Sequence, residues 1–296
     1  MTNITVGVVQ QTGNSDRAQS LQHSITAIRQ AAERGAQLVL LQELHAGLYF
    51  CQTEDINHFQ QAESIPGPTT NALSALSKEL QIVIVASLFE RRAAGVFHNT
   101  AVVIEKNGEL VGKYRKMHIP EDPGFNEKFY FTPGDLGFKP IATSVGKLGI
   151  LVCWDQWYPE AARLMALNGA DFLLYPTAIG WGTLDKNPIE RQNQLQAWIT
   201  IQRSHAVANG LPVLVANRIG FEANAKHPDI GIEFWGNSFI AGPQGEILAQ
   251  ASSDQPEILV AKIDKQRTET VRCNWPFLRD RRIDAYHGLL ARFLDE

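Results

Sequence analysis

Short apolar runs alternate with longer amphipathic segments along the chain. Ile4–Gln10 predicts a strand, and residues 14–36 repeat apolar side chains at helical spacing, with a glycine at position 35. Residues 38–41 are uniformly apolar, which is typical of a strand buried on both faces. The other predicted helices are residues 68–80, 159–168 and 188–209, and the other predicted strands are residues 82–89, 99–105, 109–114, 147–152, 172–175, 213–216, 235–241, 246–249 and 259–263.

Both halves of the chain follow the same order of predicted elements, β-α-β-α-β and then a hairpin. Asn107-Gly108 marks the turn of the first hairpin, and a Gly-Pro-Gln-Gly turn marks the second. Strands that are apolar on both faces need cover on both sides. We therefore expect an α/β fold in four layers, an αββα sandwich of two stacked mixed sheets flanked by helices.

The composition is that of a globular protein and disfavours several classes of partner. Of 296 residues, 27 are basic and 31 are acidic, and the formal net charge of −4 argues against a nucleic-acid partner. No apolar run approaches the ~18 residues that a membrane helix needs. Residues 1–6 are typical of a strand rather than a signal peptide. Three cysteines cannot all pair within one chain, which favours a reducing cytoplasm.

No linker rich in Pro, Gly or Ser divides the sequence, so we expect one domain over residues 1–296. Residues from about 275 onward are interpreted as a C-terminal extension of that domain. They include Trp275-Pro276-Phe277 and a helix-like stretch, Tyr286–Leu294. These apolar side chains are candidates for contacts between copies of the chain.

Three reactive side chains follow predicted strands. Glu43 comes after the apolar run at 38–41, Lys116 after the first hairpin, and Cys153 after strand 147–152. Sites in open α/β sheets gather beyond the carboxyl ends of the strands. A cation favours the nucleophilic thiolate, and a partly desolvated carboxylate is a suitable proton acceptor. The three residue types therefore fit thiol-dependent chemistry.

Each of these residues also has an ordinary structural interpretation. Cys153 fits an inert buried thiol, Lys116 a solvated basic stretch, and Glu43 a carboxylate held by loop amides. His118 is an alternative partner for the cysteine. The sequence has no His-x-x-x-His or Cys-x-x-Cys spacing and no glycine-rich phosphate loop after a strand, so neither a metal nor an organic cofactor is expected.

The segments around these residues resemble the three catalytic segments of the nitrilase, or carbon–nitrogen hydrolase, superfamily. The matching segments are Leu-Gln-Glu43-Leu, Tyr-Arg-Lys116-Met-His-Ile-Pro and Leu-Val-Cys153-Trp-Asp, in the family's order. The resemblance spans nearly the whole chain and implies the αββα fold. It also implies a triad of Glu43, Lys116 and Cys153, with Glu127 as a second glutamate that orients Lys116 and the substrate.

Within the superfamily, several segments resemble the N-carbamoylputrescine amidohydrolases. They are residues 123–131, 132–135, 175–180, 216–220 and 277–282. Two departures concern the amine end of the substrate: Trp181-Gly182 replaces a Ser-Glu pair whose carboxylate helps to hold that amine, and Phe125 replaces a tyrosine. The alternatives for the missing carboxylate are Glu121, Asp122, Asp155 and Glu160.

The resemblance implies an amidohydrolase that uses water to cleave a small carbamoyl amine or amide. Its leading expectation is hydrolysis of N-carbamoylputrescine to putrescine, carbon dioxide and ammonia. The residues expected to bind substrate are Tyr49, Phe125, Trp154, Asp155 and Thr177. Alternative substrates are N-carbamoyl-β-alanine and ω-amides, and an alternative class is a non-catalytic binding protein of the same fold. Family members are usually dimers or larger assemblies, so a homodimer or higher homo-oligomer is expected.

Overall fold

The structure is a computed structural model that describes residues 3–294, so predictions for Met1 and Thr2 lie outside the described residues. The helices are α1 (Arg17–Glu33), α2 (Pro68–Leu80), α3 (Glu127–Tyr130), α4 (Pro159–Leu167), α5 (Pro188–Asn209) and α6 (Lys265–Asn274). The strands are β1 (Ile4–Gln10), β2 (Leu38–Leu40), β3 (Val83–Ala93), β4 (Val96–Ile104), β5 (Leu110–Arg115), β6 (Glu121–Asp122), β7 (Phe125–Asn126), β8 (Ile141–Thr143), β9 (Gly146–Ile150), β10 (Phe172–Pro176), β11 (Gly180–Gly182), β12 (Val213–Ala216), β13 (Ile219–Ala223), β14 (Gly231–Trp235), β15 (Phe239–Ala241), β16 (Ile247–Gln250) and β17 (Glu257–Ile263). Within residues 3–294, no helix has both the length and the apolar composition needed to cross a membrane.

Two six-stranded sheets form the centre of the molecule. Their strand orders are β17-β1-β2-β3-β4-β5 and β16-β15-β12-β10-β9-β8. In each sheet three neighbouring strands are parallel, β1-β2-β3 and β9-β10-β12, and the outer strands pair antiparallel. A β-α-β-α-β unit followed by a hairpin produces this mixed topology, and the predicted repeat of architecture is confirmed.

Alternate side chains of one strand enter two different hydrophobic clusters. Leu38 and Leu40 belong to the cluster that includes residues of both sheets, whereas Val39 and Leu41 pack with the buried side chains of α1 and α2. The helices α4 and α5 contact the second sheet through β9 and β12. The uniformly apolar strands are therefore covered on both faces, and the predicted αββα sandwich is confirmed.

Several predicted elements match the structure at both ends, among them β1, α2, α5 and β12. The predicted strand over residues 235–241 is wrong, because Gly236 and Asn237 adopt left-handed backbone angles, φ of 57° and 52°, between β14 and β15. The predicted helix-like stretch Tyr286–Leu294 is also wrong. Its described residues contain a single 3₁₀ turn, His287–Leu290, which follows another at Ile283–Ala285.

A small third sheet is not predicted by the sequence pattern. It joins β11 to a hairpin of β13 and β14 from a later stretch of the chain, in the order β11-β14-β13. Its short strands carry glycines and charged residues rather than an apolar run. This sheet matters for the site because β11 begins two residues after Ala178, whose carbonyl oxygen lies beside Cys153.

Candidate active site

Glu43, Lys116 and Cys153 lie just beyond strands of the two central sheets. Glu43 follows the end of β2 by three residues, and its backbone N–H donates to the Thr177 carbonyl oxygen at 3.3 Å, which links it to the other sheet. Lys116 directly follows β5, and Cys153 follows the end of β9 by three residues. All three side chains are buried. The stacked sheets thus carry residues far apart in sequence to one region.

The Lys116 ammonium lies between two carboxylates. Its Nζ donates to Glu43 Oε1 at 2.9 Å and to Glu127 Oε2 at 2.7 Å. The side chains of all three residues have no exposed area. Two carboxylates around one ammonium leave a net negative charge in a desolvated site when all three groups are ionised, which favours the uptake of a proton or a cation.

Each carboxylate has a second donor that fixes its orientation. Asn99 Nδ2 donates to Glu43 Oε1 at 2.7 Å, and the Tyr49 hydroxyl donates to Glu127 Oε1 at 2.7 Å. Glu43 Oε2 has no hydrogen-bond partner among the described residues. That oxygen is therefore the one available to accept a proton from a reacting group.

Burial and mutual charge set the protonation of Lys116 and Glu127. Burial alone lowers the pKa of Lys116, but the carboxylates of Glu127 and Glu43 outweigh it and hold that pKa well above its usual range. Burial raises the pKa of Glu127 to about 7, against the lowering effect of Lys116. Lys116 is thus a permanent cation near neutral pH, and Glu127 titrates there.

The nucleophile candidate sits on a strained turn. Cys153 has a φ of +44°, a left-handed angle that non-glycine residues rarely adopt, and it begins the 3₁₀ turn Cys153–Trp157. Its Sγ donates to the Ala178 carbonyl oxygen at 3.7 Å. Burial, followed by the charge of Glu43, raises the pKa of the Cys153 thiol well above its usual range, and Lys116 offsets this only in part. The expected lowering of the thiol pKa is therefore not found in the free site, where the thiol is protonated.

A cavity of about 550 Å³ opens beside these residues. Cys153 and Glu127 both line it. Its volume and its mixed apolar and polar lining are typical of a small-molecule site. Its aromatic lining residues are Phe125, Trp154, Trp157 and Trp235, and its carboxylate lining residues besides Glu127 are Asp122, Asp185 and Glu190. Within the described chain, no lysine or arginine lines this cavity.

A sequence profile described as carbon–nitrogen hydrolase matches residues 5–273. The chain belongs to the carbon–nitrogen hydrolase family. The match covers the segments of Glu43, Lys116 and Cys153, and it confirms the resemblance found in the sequence.

Named relatives and a solved structure support the same assignment. An N-carbamoylputrescine amidase of Oryza sativa subsp. japonica is 42% identical over 97% of this chain and 95% of the relative. A citrullinase of Francisella tularensis is 39% identical over 99% of this chain and 100% of the relative. The crystal structure of a carbon–nitrogen hydrolase from Helicobacter pylori G27 is 52% identical, with a TM-score of 0.95, over 99% of this chain and 100% of that chain.

Two of the five residues expected to bind substrate line the cavity of this hydrolase. Phe125 and Trp154 are lining residues, whereas Tyr49, Asp155 and Thr177 are not. Tyr49 instead supports Glu127 from behind. The Thr177 hydroxyl is buried against Gln156 Oε1 and the Tyr175 carbonyl oxygen. These residues support the site rather than contact its cavity.

Asp155 holds the loops on which this hydrolase carries Lys116 and Cys153. Its carboxylate accepts from the Tyr114 hydroxyl at 2.8 Å, from both the backbone N–H and Nδ1 of His118, and from the Val152 backbone N–H at 2.9 Å. His118 also stacks on Tyr158, with ring centroids 3.8 Å apart. The alternative of a Cys-His pair finds no support in these contacts, and Asp155 is not available to a distal amine.

Two residues that hold the site together, Asn99 and Gly134, are not among the predicted site residues. Asn99 supports Glu43, and its signal is a polar triplet, His98-Asn99-Thr100, at the start of an otherwise apolar strand. Gly134 donates its backbone N–H to the Lys116 carbonyl oxygen at 2.8 Å. A Cβ at Gly134 would lie 2.0 Å from the Arg115 carbonyl oxygen, so only glycine fits there. Among residues 3–294, no cluster of three or more His, Cys, Asp or Glu side chains is suited to a metal ion.

Proposed function

We propose that this hydrolase cleaves N-carbamoylputrescine to putrescine, carbon dioxide and ammonia. The observation that carries the proposal is the cavity beside Cys153, which combines aromatic walls with three carboxylates besides Glu127 and has no basic side chain among its described lining residues. The 42% identity to the rice N-carbamoylputrescine amidase over nearly the whole of both chains supports the same substrate.

In the first half of the proposed reaction, the Cys153 sulfur attacks the ureido carbon. Glu43 accepts the thiol proton through its unpartnered Oε2 as the C–S bond forms, because the buried thiol is not ionised beforehand. The ammonium of Lys116 and the backbone N–H of Trp154 stabilise the oxyanion of the tetrahedral intermediate. One such donor contributes about 10²–10³ in rate, or ~2.7–4 kcal/mol. The intermediate then releases ammonia, which takes its proton from Glu43.

In the second half, water removes the carbamoyl group from the sulfur. Glu43 takes a proton from the water as its oxygen attacks the thiocarbamate carbon, and it returns that proton to the sulfur as the C–S bond breaks, which restores the thiol. The released carbamic acid decomposes to carbon dioxide and putrescine. Glu127 keeps Lys116 in place throughout, since it accepts a second hydrogen bond from the ammonium that also contacts Glu43.

The charge of the cavity favours an amine-ended substrate over carboxylate-ended ones. N-carbamoyl-β-alanine and ω-amides end in a carboxylate, and citrulline adds a carboxylate beside its amine. A carboxylate next to Asp122, Asp185 and Glu190 would be repelled, with no described lysine or arginine in the lining to pair with it. Of the three, Asp185 already accepts from the Gly182 backbone N–H at 3.0 Å. Asp122 and Glu190 are therefore the proposed partners of the distal ammonium.

Ammonia release from a matched panel tests this assignment. The panel contains N-carbamoylputrescine, citrulline, N-carbamoyl-β-alanine and an ω-amide of a dicarboxylic acid. We expect kcat/KM for N-carbamoylputrescine to exceed each of the others by at least about 10²-fold, since one unfavourable charge contact is equivalent to several kcal/mol. A higher kcat/KM for any carboxylate-ended compound would overturn the substrate assignment.

We further propose that residues 1–296 form one domain and that the C-terminal extension contacts a second copy of the chain in the cytoplasm. Leu290 and Phe293 are 97% and 79% exposed, and Trp275 is 57% exposed. Apolar side chains this exposed and this close in sequence are typical of an interface. Sedimentation of the full chain and of a chain ending at residue 274 checks the assembly, because only the full chain is expected to form the oligomer.

A further inference from the structure

A buried ion pair, Arg218 with Glu222, lies behind the loop that carries Glu43. Arg218 Nη1 is 2.5 Å from Glu222 Oε1, and the two side chains are 0% and 4% exposed. Desolvation offsets most of the attraction within such a pair, so its presence alone is weak evidence of a stabilising role. The role of the Arg218–Glu222 pair is therefore inferred from its hydrogen bonds to the surrounding loop.

The Arg218 guanidinium binds three carbonyl oxygens of the Glu43 loop. Nη2 donates to the carbonyl oxygens of Glu43 and Leu44 at 3.1 and 2.9 Å, and Nη1 donates to that of Gly47 at 3.1 Å. Leu44 has a φ of +48°, a left-handed angle that leucine rarely adopts. The turn that follows Glu43 therefore depends on contacts from outside the loop, and Arg218 supplies them.

Glu222 extends these contacts to the other end of the same loop. Its Oε2 accepts from the Tyr49 backbone N–H at 2.6 Å, and the Tyr49 hydroxyl donates to Glu127 Oε1 at 2.7 Å. One ion pair is thus connected to Glu43 at the start of the loop and, through Tyr49, to Glu127. These are the two carboxylates that hold the Lys116 ammonium.

We propose that Arg218 and Glu222 are positioning residues that set the placement of Glu43 and Glu127 around Lys116 and Cys153. The proposal rests on the proposed role of Glu43 as the base. A misplacement of about 1 Å in a reacting group can cost about 10²-fold in rate. Loss of the pair should therefore slow the reaction even though neither residue lines the substrate cavity.

Two substitutions separate the charge of the pair from its shape. Glu222→Gln keeps an acceptor for the Tyr49 amide and removes the charge next to Arg218. Arg218→Lys keeps the charge and removes the planar fork that reaches several carbonyl oxygens. In each folded variant we expect kcat per active site to fall about 10- to 100-fold with KM within about threefold of wild type. The rate of Cys153 alkylation by iodoacetamide should fall in parallel.

Glu105→Gln is the matched control. Glu105 accepts from the backbone N–H and the hydroxyl of Ser144, and it follows the end of β4, at the opposite end of that strand from Asn99. This control should lower Tm without changing kcat per active site. If Glu222→Gln and Arg218→Lys lower Tm but keep kcat within twofold of the control, the pair is only structural and the proposal is overturned. Such a result leaves the proposed function intact, because that function depends on Cys153 and Glu43.

A double-mutant cycle with Tyr49→Phe provides a second test. If Glu222 acts through the loop that ends at Tyr49, the two substitutions should be non-additive, and the double variant should lose less activity than the product of the single effects. Glu222→Asp, which keeps the charge, replaces Glu222→Gln in this cycle if the latter does not fold. Single effects that multiply would show that Glu222 and Tyr49 act independently, which contradicts the proposal.

Discussion

Lys116 Nζ donates a 2.7 Å hydrogen bond to Glu127 Oε2 where neither side chain has exposed area. Glu43 Oε1 accepts from the same ammonium at 2.9 Å. The cation is held by two carboxylates, one of which keeps a free oxygen for proton transfer.

Glu127→Gln should change how stability varies with pH. Burial raises the pKa of Glu127 from 4.5 to about 7 in the folded protein. Folding thus favours the protonated form of Glu127. Its contribution to the free energy of unfolding is complete below pH 4.5 and is lost as the pH rises to about 7. Urea unfolding from pH 4 to 8 should show wild type losing stability relative to Glu127→Gln across this window. A constant difference between the two proteins would contradict the raised pKa.

Cys153→Ala should abolish turnover and leave the fold intact. The thiol makes one weak hydrogen bond, to Ala178, so its removal breaks no strong polar contact of the fold. We expect activity to fall by at least about 10³-fold, the scale on which removal of a nucleophile acts. Cys153→Ser should fail as well, because a hydroxyl is much harder to ionise than a thiol. Activity close to wild type in a variant with an unchanged circular dichroism spectrum would remove the assignment.

Glu43→Gln should slow both halves of the reaction while substrate binding persists. A general base contributes about 10²–10⁴-fold, and the glutamine keeps the shape and the Asn99 contact of the side chain. Rapid-quench single-turnover kinetics measures the first half directly. Normal formation of the covalent intermediate in this variant would show that another group accepts the thiol proton.

Asp122→Asn combined with Glu190→Gln should weaken recognition of the distal ammonium. Both carboxylates line the cavity, so we expect KM for N-carbamoylputrescine to rise about tenfold, which corresponds to ~1.4 kcal/mol. N-butylurea, which lacks the ammonium, should be affected little. Glu160→Gln is the control, because Glu160 lies on α4 and is not a lining residue. Equal losses for both compounds would argue against a charge contact.

Gly134→Ala should destabilise the protein by at least about 2 kcal/mol, since overpacking at a rigid contact costs this much. The added Cβ would meet the Arg115 carbonyl oxygen at 2.0 Å. Gly95→Ala is the control, because nothing lies within 4 Å of its Cβ, and its left-handed φ of 72° should cost only about 1–2 kcal/mol. Equal unfolding midpoints for the two variants would show that the backbone near Lys116 yields to the new side chain.

The two central sheets were predictable because their inner strands are short and uniformly apolar. Leu38–Leu40 sends alternate side chains into two clusters, and only a strand covered on both faces needs an apolar residue at every position. The third sheet was not predictable, because β11 pairs with β14, which is distant in sequence, and the hairpin of β13 and β14 carries no such run. The break at Gly236 and Asn237 depends on backbone angles that the apolar pattern does not encode.

Only the site residues that lie within the family motifs were predictable from the sequence. Glu43, Lys116, Cys153 and Glu127 lie on recognisable segments. Asp155 and Thr177 lie on such segments too, yet their polar groups face the protein interior, because proximity in sequence to a motif does not fix the direction of a side chain. The polar triplet around Asn99 marks it as unusual, but its contact with Glu43 joins separate strands, and no local pattern identifies that partner.

Detection of the covalent intermediate tests the role of Cys153 as nucleophile most directly. Wild-type enzyme and Glu43→Gln are mixed with N-carbamoylputrescine, quenched in acid at short times and digested for peptide mass spectrometry. We expect a transient carbamoyl-type adduct on the Cys153 peptide of wild type, none on the peptides of the other free cysteines, Cys51 and Cys273, and little adduct in Glu43→Gln. Turnover without any adduct on Cys153, or an adduct on another residue, would contradict this role of Cys153.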